Sequence, residues 1–70
     1  MSHDLAHARI GLEIARIAKS HSPVQDRTFV EGMIEMAAYL SQITYQESES
    51  YREALIRKTG NRVEALRSGA

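Results

Sequence analysis

The sequence predicts an all-helical fold, and three observations carry that expectation. Apolar residues recur at spacings of three and four along HDLAHARIGLEIARIAKSH and again along RTFVEGMIEMAAYLSQI, which is the period of an α-helix. No stretch alternates apolar and polar residues as a half-buried strand does. The chain holds one proline and four glycines, few for the many tight turns of a β-fold. Seventy residues make at most one domain, taken as 1–70, and a domain of this size buries only about 60% of the surface its unfolded chain exposes. There is no cysteine for a disulfide or a thiolate metal site, so self-association is the remaining route to a larger core.

The first helix is expected over about residues 3–20. Ser2 is placed to cap it, and Asp4 lies in its first turn, where a negative charge favours the helix dipole. At about 100° per residue, Ala6, Ile10, Ile14 and Ile17 fall on one side and Leu5, Ala8, Leu12 and Ala15 on another. Arg9, Glu13, Arg16 and Ser20 are left to water. Two apolar faces require two neighbours: a second helix for one, and another copy of the chain for the other. His3, His7 and His21 extend the isoleucine stripe at both ends. His3 and His7 stand one turn apart, as a chelating pair would, but stable sites take three or four ligands. His21 is about 27 Å from His3 along the helix and cannot join them. The histidines therefore read as amphipathic margins of a dry seam, with neither metal nor cofactor expected.

A turn follows over 21–26, within KSHSPVQDR. Ser22, Pro23 and Gln25 read as N-cap, first helical residue and capping-box partner, while Asp26 offers a later cap for a helix starting nearer Thr28. The second helix is taken over about 27–58. Its stripe of Phe29, Met33, Met36, Leu40 and Ile43, widened by Val30 and Ala37, is the strongest amphipathic signal in the chain. Near 46–50, within YQESES, the stripe weakens. There the helix either continues with a kink, Tyr51, Ala54 and Leu55 resuming the same face, or breaks, with Ser50 capping a third segment and Glu53 closing a capping box. A continuous helix is about 50 Å long against about 27 Å for the first, so Tyr51, Leu55 and Ile56 would need a second chain. Thr59, Gly60 and Asn61 supply a helix stop, leaving a basic C-terminal tail over 59–70. The expected architecture is an antiparallel helical hairpin that self-associates into a bundle. Ile10, Ile14, Ile17, Leu40, Ile43, Tyr51 and Leu55 are its expected oligomer interface.

Nine basic and nine acidic side chains cancel, but unevenly along the chain. Residues 1–19 carry +1, residues 20–50 carry −4 and residues 51–70 carry +3. Such a split suits head-to-tail pairing of copies, or an anion held at the basic end. Arg57, Lys58, Arg62 and Arg67 surround KTGNR, whose Gly60 would expose backbone amides beside guanidinium groups as a cradle for a small phosphate-containing ligand. Tyr39, Tyr45 and Tyr51 are spaced about 120° apart on a continuous helix and make no base-stacking platform. Together with zero net charge, this argues against specific DNA recognition. No apolar run approaches the roughly 20 residues of a membrane span, and the opening charges at Asp4, Arg9, Glu13, Arg16 and Lys19 are unlike a signal peptide. The expectation is a cytoplasmic protein without membrane association.

Glu31 and Glu35 form a carboxylate pair one helical turn apart, with no nucleophile, phosphate loop or cofactor fingerprint beside them. No catalytic residue and no enzyme activity are expected. The plan of helix, SPVQDR turn and helix, with the run RTFVEGMIEMAAY from Arg27 to Tyr39, resembles short helical-hairpin proteins encoded by phages. That resemblance implies either binding and disabling a host regulator or oligomerising to sequester a cyclic-nucleotide signal. The leading expectation is a small protein-interaction or regulatory module, an inhibitor or adaptor that binds a larger protein as a homo-oligomer. The alternative is an oligomer that sequesters a phosphate-containing nucleotide through its basic end.

Overall fold

The computed structural model describes residues 3–69; the Ser2 cap lies outside them. All regular structure among the described residues is helical: α1 (His3–Arg16), closed by one 3-10 turn (Ile17–Lys19), α2 (Pro23–Tyr39) and α3 (Tyr45–Arg67). The all-α expectation holds, but the chain makes three helices in place of two with one long arm.

Of the two apolar faces of α1, the one bearing Ala6, Ile10 and Ile14 turns inward, and Ile17 continues it from the 3-10 turn. The α-helix stops at Arg16 instead of about residue 20, because the chain tightens to 3-10 geometry and then becomes extended at Ser20. The connection is short, and α2 begins at Pro23, four residues before the expected start at 27. Proline suits this first position because its fixed φ is helical and it has no N–H to leave unpaired. Ser22 makes no side-chain cap bond. Ser20 acts instead: its Oγ accepts from the Ser22 N–H at 2.9 Å and donates to the Asp26 carboxylate, tying the linker to the first turn of α2.

The second helix does not run to 58. It ends at Tyr39, where the Gln42 N–H reaches the Ala37 carbonyl at 2.8 Å and the Ser41 N–H reaches that of Ala38 at 3.0 Å. This pair of bonds is the Schellman stop, which needs a left-handed residue. Ser41 supplies it at φ 58°, a conformation that costs a non-glycine residue about 1 kcal/mol. Thr44 then restarts the helix through a full capping box: its Oγ1 accepts from the Glu47 N–H at 3.0 Å, and Glu47 Oε1 accepts from the Thr44 N–H at 2.7 Å. The break thus falls at 40–44, ahead of the expected 46–50, and Ser50 and Glu53 lie inside α3.

No basic tail follows residue 58, since α3 continues to Arg67 with Gly60 in its interior. Two inward contacts hold that stretch. Thr59 is buried with its Oγ1 donating to the Leu55 carbonyl at 2.7 Å, and Arg62 Nε donates to the Ser20 carbonyl at 2.8 Å, pinning α3 to the α1–α2 corner. With a third helix lying over the isoleucine face, the core closes within one chain. Ile10, Ile14, Ile17, Ile43 and Leu55, which the sequence pattern assigned to an oligomer interface, pack here with Ala6, Val30, Ile34 and Ala37 of the same chain. The molecule is elongated, 40 × 17 × 15 Å, with a radius of gyration of 12.4 Å against about 11 Å for a compact chain of this length.

Candidate functional site

Because α1 and α3 both cover α2, its inward direction runs through Val30, Ile34 and Ala37. The heptad of Phe29, Met33, Met36 and Leu40 is thereby displaced to a flank. Phe29 is 62% exposed, Met36 57% and Leu40 54%, while Met33 is half-buried against the core. Opposite this flank stand Ala6, Arg9 and Ile10 of α1, and between the two helices runs a groove of about 360 Å³. Its walls are apolar apart from Arg9 and Gln42. The Arg9 guanidinium is held at the rim by Glu13, Nε to Oε2 at 3.3 Å. Gly32 also lines the groove, and a Cβ at that position would meet nothing within 4 Å. Methionine walls adapt to varied apolar shapes. Such a surface can receive apolar side chains.

The exposure is not confined to the groove. Ten large apolar or aromatic side chains are exposed among the described residues, Leu5 and Leu12 on α1 included. The accessible surface is 4857 Å², against about 4400 Å² for a folded monomer of this mass. Leu40 and Tyr51, the two expected interface residues outside the core, are respectively exposed and half-buried.

The four expected anion-binding residues do not converge. Arg57 and Lys58 are exposed on α3, Arg62 is engaged by Ser20, and Arg67 pairs with Glu64 at 3.6 Å. At about 100° per residue they spread over most of the helix circumference. The turn that would have presented the Gly60 amide is helical, which commits that N–H to the preceding turn.

The histidines at the start of α1 clasp the fold. His3 Nδ1 donates to the Gln42 carbonyl at 2.7 Å. The His7 ring lies between Tyr51, with Nδ1 2.5 Å from the hydroxyl, and Glu47, with Nε2 3.2 Å from Oε2. One proton arrangement satisfies all three groups: Nε2–H toward the carboxylate and the Tyr51 O–H toward Nδ1. The backbone N–H of Thr44 holds the Glu47 carboxyl below its ordinary value of 4.5, outweighing desolvation, and the nearby His7 ring acts in the same direction whenever it carries a proton on both nitrogens. Burial pushes the Tyr51 phenol above its ordinary 10.0, and the Glu47 charge adds to this. His21 sits in the polar corner between α1 and α2. Among the described residues no group of three or more His, Cys, Asp or Glu side chains is placed to hold a metal ion, and no helix is long and apolar enough to cross a membrane. The Glu47 cap was legible as the pattern Thr44-x-x-Glu47; its link to His7, forty residues earlier, has no sequence signal.

These features define a small three-helix chain with a closed core and an open apolar groove. No protein-family model matches it, and no curated protein or solved structure matches it at a significant level.

Proposed function

We propose that the protein is a non-enzymatic interaction module, an inhibitor or adaptor that seats an apolar helix of a larger protein in the α1/α2 groove and works as a self-associated pair. The observation that carries this reading is the separation of two apolar sets: Ile17, Ile34 and Leu55 complete a core within the chain, while Met36 and Leu40 remain more than half exposed along a groove. Helix-in-groove binding uses apolar anchors spaced three and four apart on the incoming helix, which suits the apolar walls of this cleft. Arg9 at the rim favours a partner helix with a carboxylate beside its apolar stripe. Self-association is supported by the outer face of α1, where Leu5 and Leu12 remain exposed. No observation favours the phosphate-sequestering alternative, whose cations are dispersed on α3.

Gly32 allows a direct test, because it lines the groove and a Cβ added there has open space around it. A photo-crosslinker, Gly32→p-benzoylphenylalanine, should give one discrete adduct in the source cell, lost when Met36 and Leu40 are changed to glutamine. The same crosslinker at the exposed Glu53 on α3 should give none. Equal adducts from both positions, or none from Gly32, would refute the reading.

A further inference from the structure

The outer face of α1 has a register. Ala6, Ile10, Ile14 and Ile17 point into the core, and the centre of Leu5, Ala8, Leu12 and Ala15 lies about 175° away at 100° per residue. Leu5 is 56% exposed and Leu12 52%, and Ala8 and Ala15 are exposed with them. Their spacing of three, four and three is that of the a and d positions of a heptad. Arg9 and Arg16 then occupy the flank after d, and Asp4 and Gly11 the flank before a.

We propose that this face pairs with the same face of a second copy in parallel register, Asp4 of each chain lying beside Arg9 of the other. The proposal rests on the reading of the protein as a self-associated pair and adds its surface, orientation and charge code. In a parallel pair the flank before a meets the flank after d of the other helix five residues on, and five residues is the Asp4 to Arg9 spacing. Two-fold symmetry makes the attraction twice. The second arginine, Arg16, meets Gly11 and no like charge. In an antiparallel pair like flanks meet, so the arginines of both chains would share one side and the aspartates the other. Arg9 keeps guanidinium N–H groups for the contact beyond the one it gives Glu13. Since the seam faces directly away from the core, α2 and α3 do not obstruct a second copy. The surplus surface of about 450 Å² over a typical monomer is roughly half of what one partner buries in a standard interface. The pairing therefore belongs to the weak class and is concentration-dependent.

Sedimentation equilibrium from low micromolar to several hundred micromolar tests this. The wild-type average mass should rise from 7.9 kDa toward twice that value, and Leu12→Glu should stay monomeric with an unchanged circular dichroism spectrum. Asp4→Arg and Arg9→Asp should each weaken association, by up to about tenfold because each variant loses both symmetry-related exposed pairs, and an equimolar mixture of the two variants should restore it. The chain lacks cysteine, so Ala15→Cys reports register: it should form a disulfide dimer on mild oxidation. A wild-type mass independent of concentration overturns the pairing. So does a mixture no tighter than its components, or a disulfide that forms only between an Ala15→Cys chain and a Leu5→Cys chain, which is the antiparallel layer. A monomer that still yields the Gly32 adduct fails this proposal and leaves the groove standing; a dimer without the adduct does the reverse.

Discussion

Replacing Leu55 by alanine distinguishes a core closed within one chain from one completed by a second copy. Leu55 is 0% exposed and packs in the cluster that includes Ile10, Ile17 and Ile34. Truncating a leucine at such a site costs about 2–5 kcal/mol, the lost transfer energy plus the cavity left behind. At about 0.05–0.15 kcal/mol per residue, the whole domain is stable by only about 3.5–10 kcal/mol, so the variant loses between a fifth of its stability and all of it. Leu12, 52% exposed on the outer face of α1, is the comparison. It has about half as much to lose, and Leu12→Ala should cost about 1 kcal/mol or less. Urea denaturation followed at 222 nm reads both, at two protein concentrations, with a slope of about 1 kcal/mol per molar urea for a chain this small. The expected midpoint shift for Leu55→Ala is about 2 M or more, the same at both concentrations. A loss no larger than that of Leu12→Ala, or one that vanishes as the protein is concentrated, would place Leu55 between chains and refute the closed core.

Arg62→Ala should cost about 1–2 kcal/mol by removing the charged donor from the Ser20 carbonyl, a fall in melting temperature of about 4–8 °C per kcal/mol. Arg57→Ala, exposed on the same helix, should stay within about 0.5 kcal/mol; equal melts would remove Arg62 from the fold's fastenings. Ser41→Gly should raise stability by about 1 kcal/mol, because glycine takes the left-handed turn without strain; a lower melting temperature would contradict the Schellman stop. Glu47 binds its proton less readily folded than unfolded, so its stabilisation is complete above its ordinary value of 4.5 and is lost as the pH falls through the lower folded-state value. Melts of the wild type and Glu47→Gln should therefore differ near neutral pH and converge in strong acid, and a constant difference would refute the role of the charged cap.

The helical class and the two apolar stripes of α1 were legible because spacing of three and four needs no tertiary information, but which stripe turns into the chain's own core was not. The α2–α3 break was not. It contains neither glycine nor proline, and two matches to the capping-box pattern compete, Thr44 with Glu47 and Ser50 with Glu53. Packing of Ile43 into the core selects the first. The heptad of Phe29, Met33, Met36 and Leu40 reads as a core-facing stripe, yet Met33, Met36 and Leu40 border the groove, because periodicity finds an apolar face without saying which neighbour covers it. KTGNR reads as a helix stop from its glycine and asparagine. Of the two anchors that carry the helix through it, Thr59 bonds within α3 to the Leu55 carbonyl, while Arg62 bonds to Ser20, 42 positions away. A similar separation hid the clasp of His7 with Glu47 and Tyr51. The candidate groove was therefore visible in part, as its methionine wall, while its α1 wall emerged only from the fold.

A core held within one chain and a groove left for a partner are separated by one measurement, the adduct yield of the Gly32 photo-crosslinker when Met36 and Leu40 are both glutamine. The melting curve should match that of the parent within a few degrees, since both side chains are more than half exposed, and the adduct should disappear. An undiminished adduct on the polar groove, or a melt that collapses as Leu55→Ala is expected to, would contradict that separation.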